Sequence, residues 1–300
     1  MNDQSTPHSR AKPVSVVIPA YNEASGILET VTEVAGTLAR MEIGEHEIVV
    51  VDDGSTYGTG DILGKMEKVR VVRHPHNVGY GQSLKSGIAA ARFDTIVITD
   101  ADLTYPFSES VPHLVAAYQQ GFDMVVGART GDRYHSSPLK SPLRALLKWL
   151  VEYTSGRRIP DINSGLRVFD RKTAMSYFPH LCDTFSFTTS MTLSYMMTGR
   201  FVGYRPIPYR ARKGETKVHL FRDSLRTLQY VVQSVVYYNP LKIFLLMALI
   251  ALAGSVAGFI GSVLFQINAG YILGISGIIL AFLMFAFGLL AVLLKQIMDK

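Results

Sequence analysis

Two stretches near the end of the chain, residues 243–265 and 271–294, contain neither acid nor base. Each exceeds the roughly 20 apolar residues that cross a bilayer. Only residues 266–270 separate them, too few for anything but a tight reversal, so the pair reads as a transmembrane hairpin. Lys242, Lys295 and Lys300 flank its open end, and the turn has no Lys or Arg. The positive-inside rule then puts that end, and the domain before it, on the cytoplasmic side of a cell membrane. Gly254 and Gly258 have the spacing that lets membrane helices pack closely, which permits a homo-oligomer.

Just upstream, residues 218–238 form an amphipathic pattern. Phe221, Leu225, Leu228, Val232 and Val235 share one helical face, and Arg222, Arg226, Gln229 and Gln233 another. Beside a membrane hairpin, the expected place for such a helix is the headgroup layer, although a helix lying on its own protein core has the same pattern. Asn239-Pro240 ends it. The chain therefore divides into a polar tail (1–13, without the apolar core of a secretory signal), a main domain (14–217), a juxtamembrane helix (218–239) and the hairpin (240–300). A net charge of +6 suits anionic partners. No zinc-finger spacing, RNP pattern or basic heptad helix is present, which excludes the common nucleic-acid modules. Cys182 is the only cysteine, so no internal disulfide is possible and a reducing compartment fits.

Within 14–217, short apolar β-branched runs alternate with helical patterns. Strands are expected at 14–18, 47–51, 69–73, 95–99 and 123–126, and helices at 26–40, 59–66, 82–92, 108–120 and 143–153. This alternation predicts an α/β domain with a mostly parallel sheet covered on both faces. Such sheets bind ligands beyond the carboxyl ends of their strands. Asn22, Glu23, Asp52, Asp53, Asp100, Asp102 and Arg129 all follow predicted strand ends. Asp100 and Asp102 carry the most chemistry. In extended chain, residues two apart point the same way, so both carboxylates can face one point. Two like charges held together call for a cation, and hard oxygen ligands suit Mg²⁺ or Mn²⁺. Taken alone, an Asp-x-Asp is more often a solvated turn. The region from 159 to about 212 reads as a second, irregular half.

In order along the chain stand Val16-Val17-Ile18-Pro19-Ala20-Tyr21-Asn22-Glu23, Val51-Asp52-Asp53-Gly54-Ser55-Thr56, Asn77-Val78-Gly79, Asp100-Ala101-Asp102, Asn163-Ser164-Gly165-Leu166-Arg167 and the basic run Arg212-Lys213-Gly214-Glu215-Thr216-Lys217. This series resembles family-2 glycosyltransferases of the Rossmann-like GT-A fold. Within them it is most similar to polyprenyl-phosphate glycosyltransferases of the dolichol-phosphate mannose synthase type, whose bacterial branch carries a two-helix C-terminal anchor. The resemblance covers about residues 14–295. It departs at Tyr57, where the family usually has Asp, and at Thr104, where some relatives have a metal-holding Gln that water or the Thr104 hydroxyl would replace.

The resemblance implies transfer of a hexose from a nucleotide-diphosphate sugar to a polyprenyl phosphate, with inversion at the anomeric carbon. It implies a metal on Asp100, Asp102 and Thr104, and a nucleotide floor from Pro19, Tyr21 and Glu23, with Asn77 and Gly79 on the donor side. Asp52 or Asp53 would face the nucleotide; the family pattern favours Asp52 near the nucleotide and Asp53 on the metal side, although the residues themselves do not separate the two. Asp161 resembles a family site acid that would orient a ligand or the metal, or else pair with Arg167. The lipid phosphate is already mostly dianionic at neutral pH and needs cations rather than a general base. Arg129, Arg144, Arg212 and Lys217 are the candidates. Two other functions compete: a polysaccharide-elongating membrane glycosyltransferase, whose Gln-x-x-Arg-Trp motif is missing here, and a non-catalytic nucleotide-sugar-binding scaffold, against which the intact acid pair argues.

Overall fold

The computed structural model describes residues 12–41, 43–130, 141–210 and 220–298; at 141–147 and 220–227 only the backbone is described. Seven strands form one sheet: β1 (Val14–Ala20), β2 (His46–Asp52), β3 (Arg70–Arg73), β4 (Thr95–Ile98), β5 (Met124–Thr130), β6 (Arg167–Asp170) and β7 (Val202–Pro208), in the order β3-β2-β1-β4-β6-β5-β7. The central strands are buried on both faces, and the side-chain alternation divides them between two cores. Val16, Ile18, Val50 and Val97 pack beneath α1 (Ile27–Arg40) and α4 (Phe107–Tyr118). Val17, Val49, Ile96 and Ile98 face α3 (Tyr80–Ala90) and α7 (Phe187–Met197).

All the ladders are parallel except those of β6, which runs antiparallel between β4 and β5 with Arg167 opposite both Ile98 and Val126. β6 therefore enters the sheet at the edge where β4 and β5 leave it. Whatever precedes Arg167 is delivered to the carboxyl edge, where sheets of this kind bind ligands. The region expected to be irregular holds β6, α6 (Arg171–Ser176), α7 and β7. Arg129 also moves relative to expectation: β5 continues to Thr130, so Arg129 lies within the strand, opposite Ile207, and not after it.

The predicted juxtamembrane helix is present as α8 (Leu220–Tyr238), with α5 (Ser141–Ser155) beside it. Its described apolar face meets protein, which corrects the headgroup placement for this part of the helix. Val231 and Val235 are fully buried in a cluster with Leu150, Val151, Leu193 and Met196. Pro240 opens α9 (Pro240–Phe265), whose first position needs no N–H partner, and α10 (Asn268–Met298) follows after two residues. At 26 and 31 residues, both are long and apolar enough to cross a membrane. The two pack through small residues. A side chain on Gly258 would meet Gly274 N at 3.1 Å, and Ser255 Oγ donates to Gly274 O. Outward-facing Ile250, Ile260, Val263, Ile272 and Phe282 are all more than half exposed, an apolar sleeve unlike a soluble core helix. Gly254, by contrast, faces open space and takes no part in the hairpin contact.

The hairpin is fastened to the domain by its two described flanking lysines. Lys242 Nζ donates to Thr154 O (2.8 Å) in α5, and Lys295 Nζ to Tyr238 O (2.7 Å) at the end of α8.

Candidate active site

Asp100 and Asp102 follow β4 in a turn, not in the extended chain expected; Leu103, at φ +60°, takes the left-handed conformation that turns the backbone. α1 secures the turn from below: Thr30 Oγ1 donates to Ala101 O (3.0 Å), and Gly26 lies so near that a Cβ would come within 2.9 Å of the same oxygen. The two acids have different surroundings. Asp102 is buried and its Oδ1 accepts from both the backbone N–H (3.1 Å) and the hydroxyl (2.6 Å) of Thr104. Thr104, expected as a metal ligand, thus serves to orient Asp102. Half-buried Asp100 accepts from the Tyr80 hydroxyl at 2.9 Å, and Gly165 presses against its carboxylate. Burial, and then the charge of Asp100, push the Tyr80 phenol well above its ordinary range, so it stays a neutral donor.

Two carboxylates on one turn suit Mg²⁺ or Mn²⁺, hard cations that commonly keep positions for substrate phosphates and water. Among the described residues no cluster of three or more His, Cys, Asp or Glu side chains could form a closed metal cage. Two carboxylates leave most positions of such a cation open.

The loops after β1 and β2 are sewn together. Asn22, at φ +53°, donates its N–H to Ser55 Oγ (3.0 Å) and accepts at Oδ1 from Thr56 N (2.9 Å). The buried Glu23 donates its N–H to Oγ1 of Thr59, which opens α2 (Thr59–Leu63). Pro19 lies in β1 opposite Val51, and half-buried Tyr21 follows it. Tyr57 points outward, 74% exposed, so the residue that departs from the family pattern leaves the loop intact.

The structure separates Asp52 from Asp53. Asp53 is buried, and its oxygens accept from Val78 N (3.0 Å), Gly79 N (2.9 Å) and His74 Nδ1 (2.7 Å), whose Nε2 meets Ser86 Oγ at 3.0 Å. Its job in this structure is to pin the loop leading into α3, where Gly79 adopts φ +109° and Asn77 is exposed. Asp52, also buried, accepts at Oδ1 from Ser55 N (3.0 Å) and borders an open cleft of about 380 Å³ with Ser55, Thr56, Arg73 and His74.

Arg129 and Asp161 form a fork: Nε to Oδ2 at 2.7 Å, Nη2 to Oδ1 at 2.9 Å, with Asp161 also accepting from the backbone N–H groups of Arg129 and Asn163. The alternative pairing of Asp161 with Arg167 is not what forms. Arg167 is fully buried and grips Ser164 O, Ile162 O and Thr192 Oγ1, fixing the turn before β6. Burial alone would raise the Asp161 carboxyl, but Arg129's hydrogen bonds and charge outweigh it and hold the group below the ordinary carboxylate range. A depressed carboxyl contributes stability above the unfolded-state value, near pH 4, and loses it as pH falls through its lower folded-state value. Asp161→Ala, by removing one side of a buried pair, is expected to cost on the order of 3 kcal/mol in urea unfolding at neutral pH and to flatten the decline of stability below pH 4. Of the other expected cations, the side chain of Arg144 and the whole of Arg212 and Lys217 lie outside the described residues.

Tyr80, His74, the contact of Gly165 with Asp100, and Tyr105, whose hydroxyl accepts from Gly165 N at 2.8 Å, escaped the sequence reading. The glycine-rich run 77–81 and the Asn-Ser-Gly-Leu-Arg series were visible, but not what they touch.

The family model for glycosyl transferase family 2 matches residues 15–180, more than half of the chain. The protein belongs to that family and is a glycosyltransferase by descent. It is 30% identical over 254 residues to undecaprenyl-phosphate 4-deoxy-4-formamido-L-arabinose transferase of Edwardsiella ictaluri, covering 83% of this chain and 73% of that one. It is 31% identical over 227 residues to the low-salt glycan biosynthesis hexosyltransferase Agl6 of Haloferax volcanii, covering 74% of this chain but only about half (54%) of that one. Glucosyl-3-phosphoglycerate synthase of Mycobacterium tuberculosis, solved with Mn²⁺, UDP and phosphoglyceric acid, superposes with a TM-score of 0.57 at 22% identity, over 75% of this chain and 78% of the other. That likeness shows a common GT-A-like fold.

Proposed function

We propose that the protein transfers a hexose from a nucleotide-diphosphate sugar to a polyprenyl phosphate at the cytoplasmic face of a cell membrane, with a divalent cation and inversion at the anomeric carbon. The observation that carries this is structural continuity: the domain bearing the acid turn is fastened through Lys242 and Lys295 to a hairpin long enough to span a bilayer. A site held there meets a soluble donor from one side and a lipid-borne acceptor from the other. The relatives that act on undecaprenyl phosphate support the acceptor class, and the solved neighbours with UDP and Mn²⁺ or Mg²⁺ support the donor class and the cation.

The cleft beside Asp52 receives the nucleotide, with Asn22 and Ser55–Thr56 holding its wall. Asp100 and Asp102 hold Mg²⁺ or Mn²⁺, which when bound offsets charge developing on the diphosphate leaving group. Thr104 fixes Asp102 and so removes one rotational freedom from that task. The acceptor phosphate is a dianion and attacks without a general base, so the structure need only hold it close. Arg129 is committed to Asp161 and positions the loop before β6, while Arg144, Arg212 and Lys217 remain the candidates for a direct phosphate contact.

The test is transfer of radiolabel from a panel of nucleotide sugars to undecaprenyl phosphate by the full chain in nanodiscs, with and without Mg²⁺. A metal-dependent labelled lipid is expected; no labelled lipid with any donor would refute the reading. Orientation is tested separately. With both helices spanning, a cysteine placed at Asn268, where α10 begins, labels with an impermeant maleimide from the outer face only. Labelling only from the cytoplasmic side would refute this orientation.

A further inference from the structure

We propose that Tyr80 is a positioning residue for the cation site, holding the Asp100 carboxylate in the orientation that a divalent cation requires, with Phe185 bracing its ring. This rests on the reading that Asp100 and Asp102 hold the cation.

Tyr80 is itself tightly placed. It stands between Gly79, whose N–H is held by Asp53 and whose Cβ position would come within 2.8 Å of Asp183 O, and Gly81, whose Cβ position would overlap Cys182 O. The next residue, Gln82, donates its N–H to Asp183 O at 2.9 Å. The start of α3 thus lies flat on the 182–184 backbone with no room to slide. From there the ring reaches across to Asp100, with its hydroxyl 2.9 Å from Oδ1, and stacks on Phe185 at 5.8 Å between centroids and 13° between planes. The same carboxylate meets Gly165, where an added Cβ would fall 2.8 Å from both oxygens. Asp100 is therefore held by a hydrogen bond from Tyr80 and hemmed in at Gly165.

The choice of residue fits the task. A Lys or Arg at this distance would neutralise Asp100 and compete with the cation, whereas a phenol donates one directed hydrogen bond and adds no charge. Hydrogen bonds to a ligating carboxylate fix its orientation, and their loss typically costs about 10–100-fold in metal affinity. Phe185, 46% exposed, lies stacked over the Tyr80 ring at the edge of the site.

The experiment is titration of Mn²⁺, followed by electron paramagnetic resonance, into the full chain in nanodiscs with the nucleoside diphosphate of the donor that supports transfer. Tyr80→Phe keeps the stacked ring and removes only the hydroxyl. The expected result is Mn²⁺ binding weakened about 10–100-fold, an unchanged melting temperature, and turnover restored by raising Mn²⁺. Phe185→Leu is expected to give a smaller loss in the same direction. Wild-type Mn²⁺ affinity in Tyr80→Phe would overturn the proposal, as would a loss of turnover that added Mn²⁺ does not restore. Asp100→Asn and Asp102→Asn, run alongside, separate the two levels. If both bind Mn²⁺ normally, the cation assignment itself fails; if they lose it while Tyr80→Phe does not, only the role of Tyr80 fails.

Discussion

Asp102→Asn is expected to lower sugar transfer by on the order of 10³-fold or more while leaving the domain folded, because the loss is of charge stabilisation in the transition state. Asparagine is the sharper probe here than alanine. The Thr104 N–H and hydroxyl both donate to Asp102 Oδ1 in a buried setting, and an amide oxygen still accepts them. Alanine would leave two buried donors without an acceptor, at about 1–3 kcal/mol for each, and confuse unfolding with inactivity. The readout is kcat at saturating Mg²⁺ with circular dichroism on the same sample. Near-normal turnover in Asp102→Asn would contradict the metal assignment.

Gly165→Ala comes second in size, and it acts without touching a charge. The new methyl would lie 2.8 Å from both oxygens of Asp100, closer than real Cβ contacts allow. The neighbour that must give way is the carboxylate, since Gly165 N–H is tied to the buried Tyr105 hydroxyl at 2.8 Å. Overpacking of this kind costs about 1–3 kcal/mol, which the domain can survive. The site cannot absorb it as easily, because displacing a reacting group by about 1 Å can cost on the order of 10²-fold in rate. Loss of about that size in kcat, with the melting temperature lowered by only a few degrees, is the expected pattern. Full activity in Gly165→Ala would mean that Asp100 is not held where the structure has it.

These two residues mark what was legible in the sequence and what was not. Asp102 announced itself as an acid after an apolar β-branched run, and the α/β alternation up to the start of β5 could be read element by element. Gly165 stood in a visible series, but its contact depends on β6, a four-residue antiparallel strand inserted between β4 and β5. A strand that short has almost no period to detect, and its partners lie about 40 to 75 residues back along the chain. α7 was missed for the opposite reason. Phe187 to Met196 are all buried, including Thr188, Thr189 and Thr192, so no polar face remains to give a helical stripe. With α8 the stripe was plain and its target was not: periodicity says that Val231 and Val235 face something apolar, not whether that is lipid or Leu193. The fork between Arg129 and Asp161 joins residues 32 apart through two strands and could not be seen before the sheet order was known.

Central to the proposed reaction is an acceptor carried by the membrane. The direct measurement offers the full chain, in nanodiscs with one saturating nucleotide sugar and Mg²⁺, a choice between undecaprenyl phosphate in the bilayer and 3-phosphoglycerate in solution. The predicted result is a labelled lipid phosphodiester that dominates even when the soluble acid is in large excess. Transfer to the soluble phosphate with none to the lipid would contradict it.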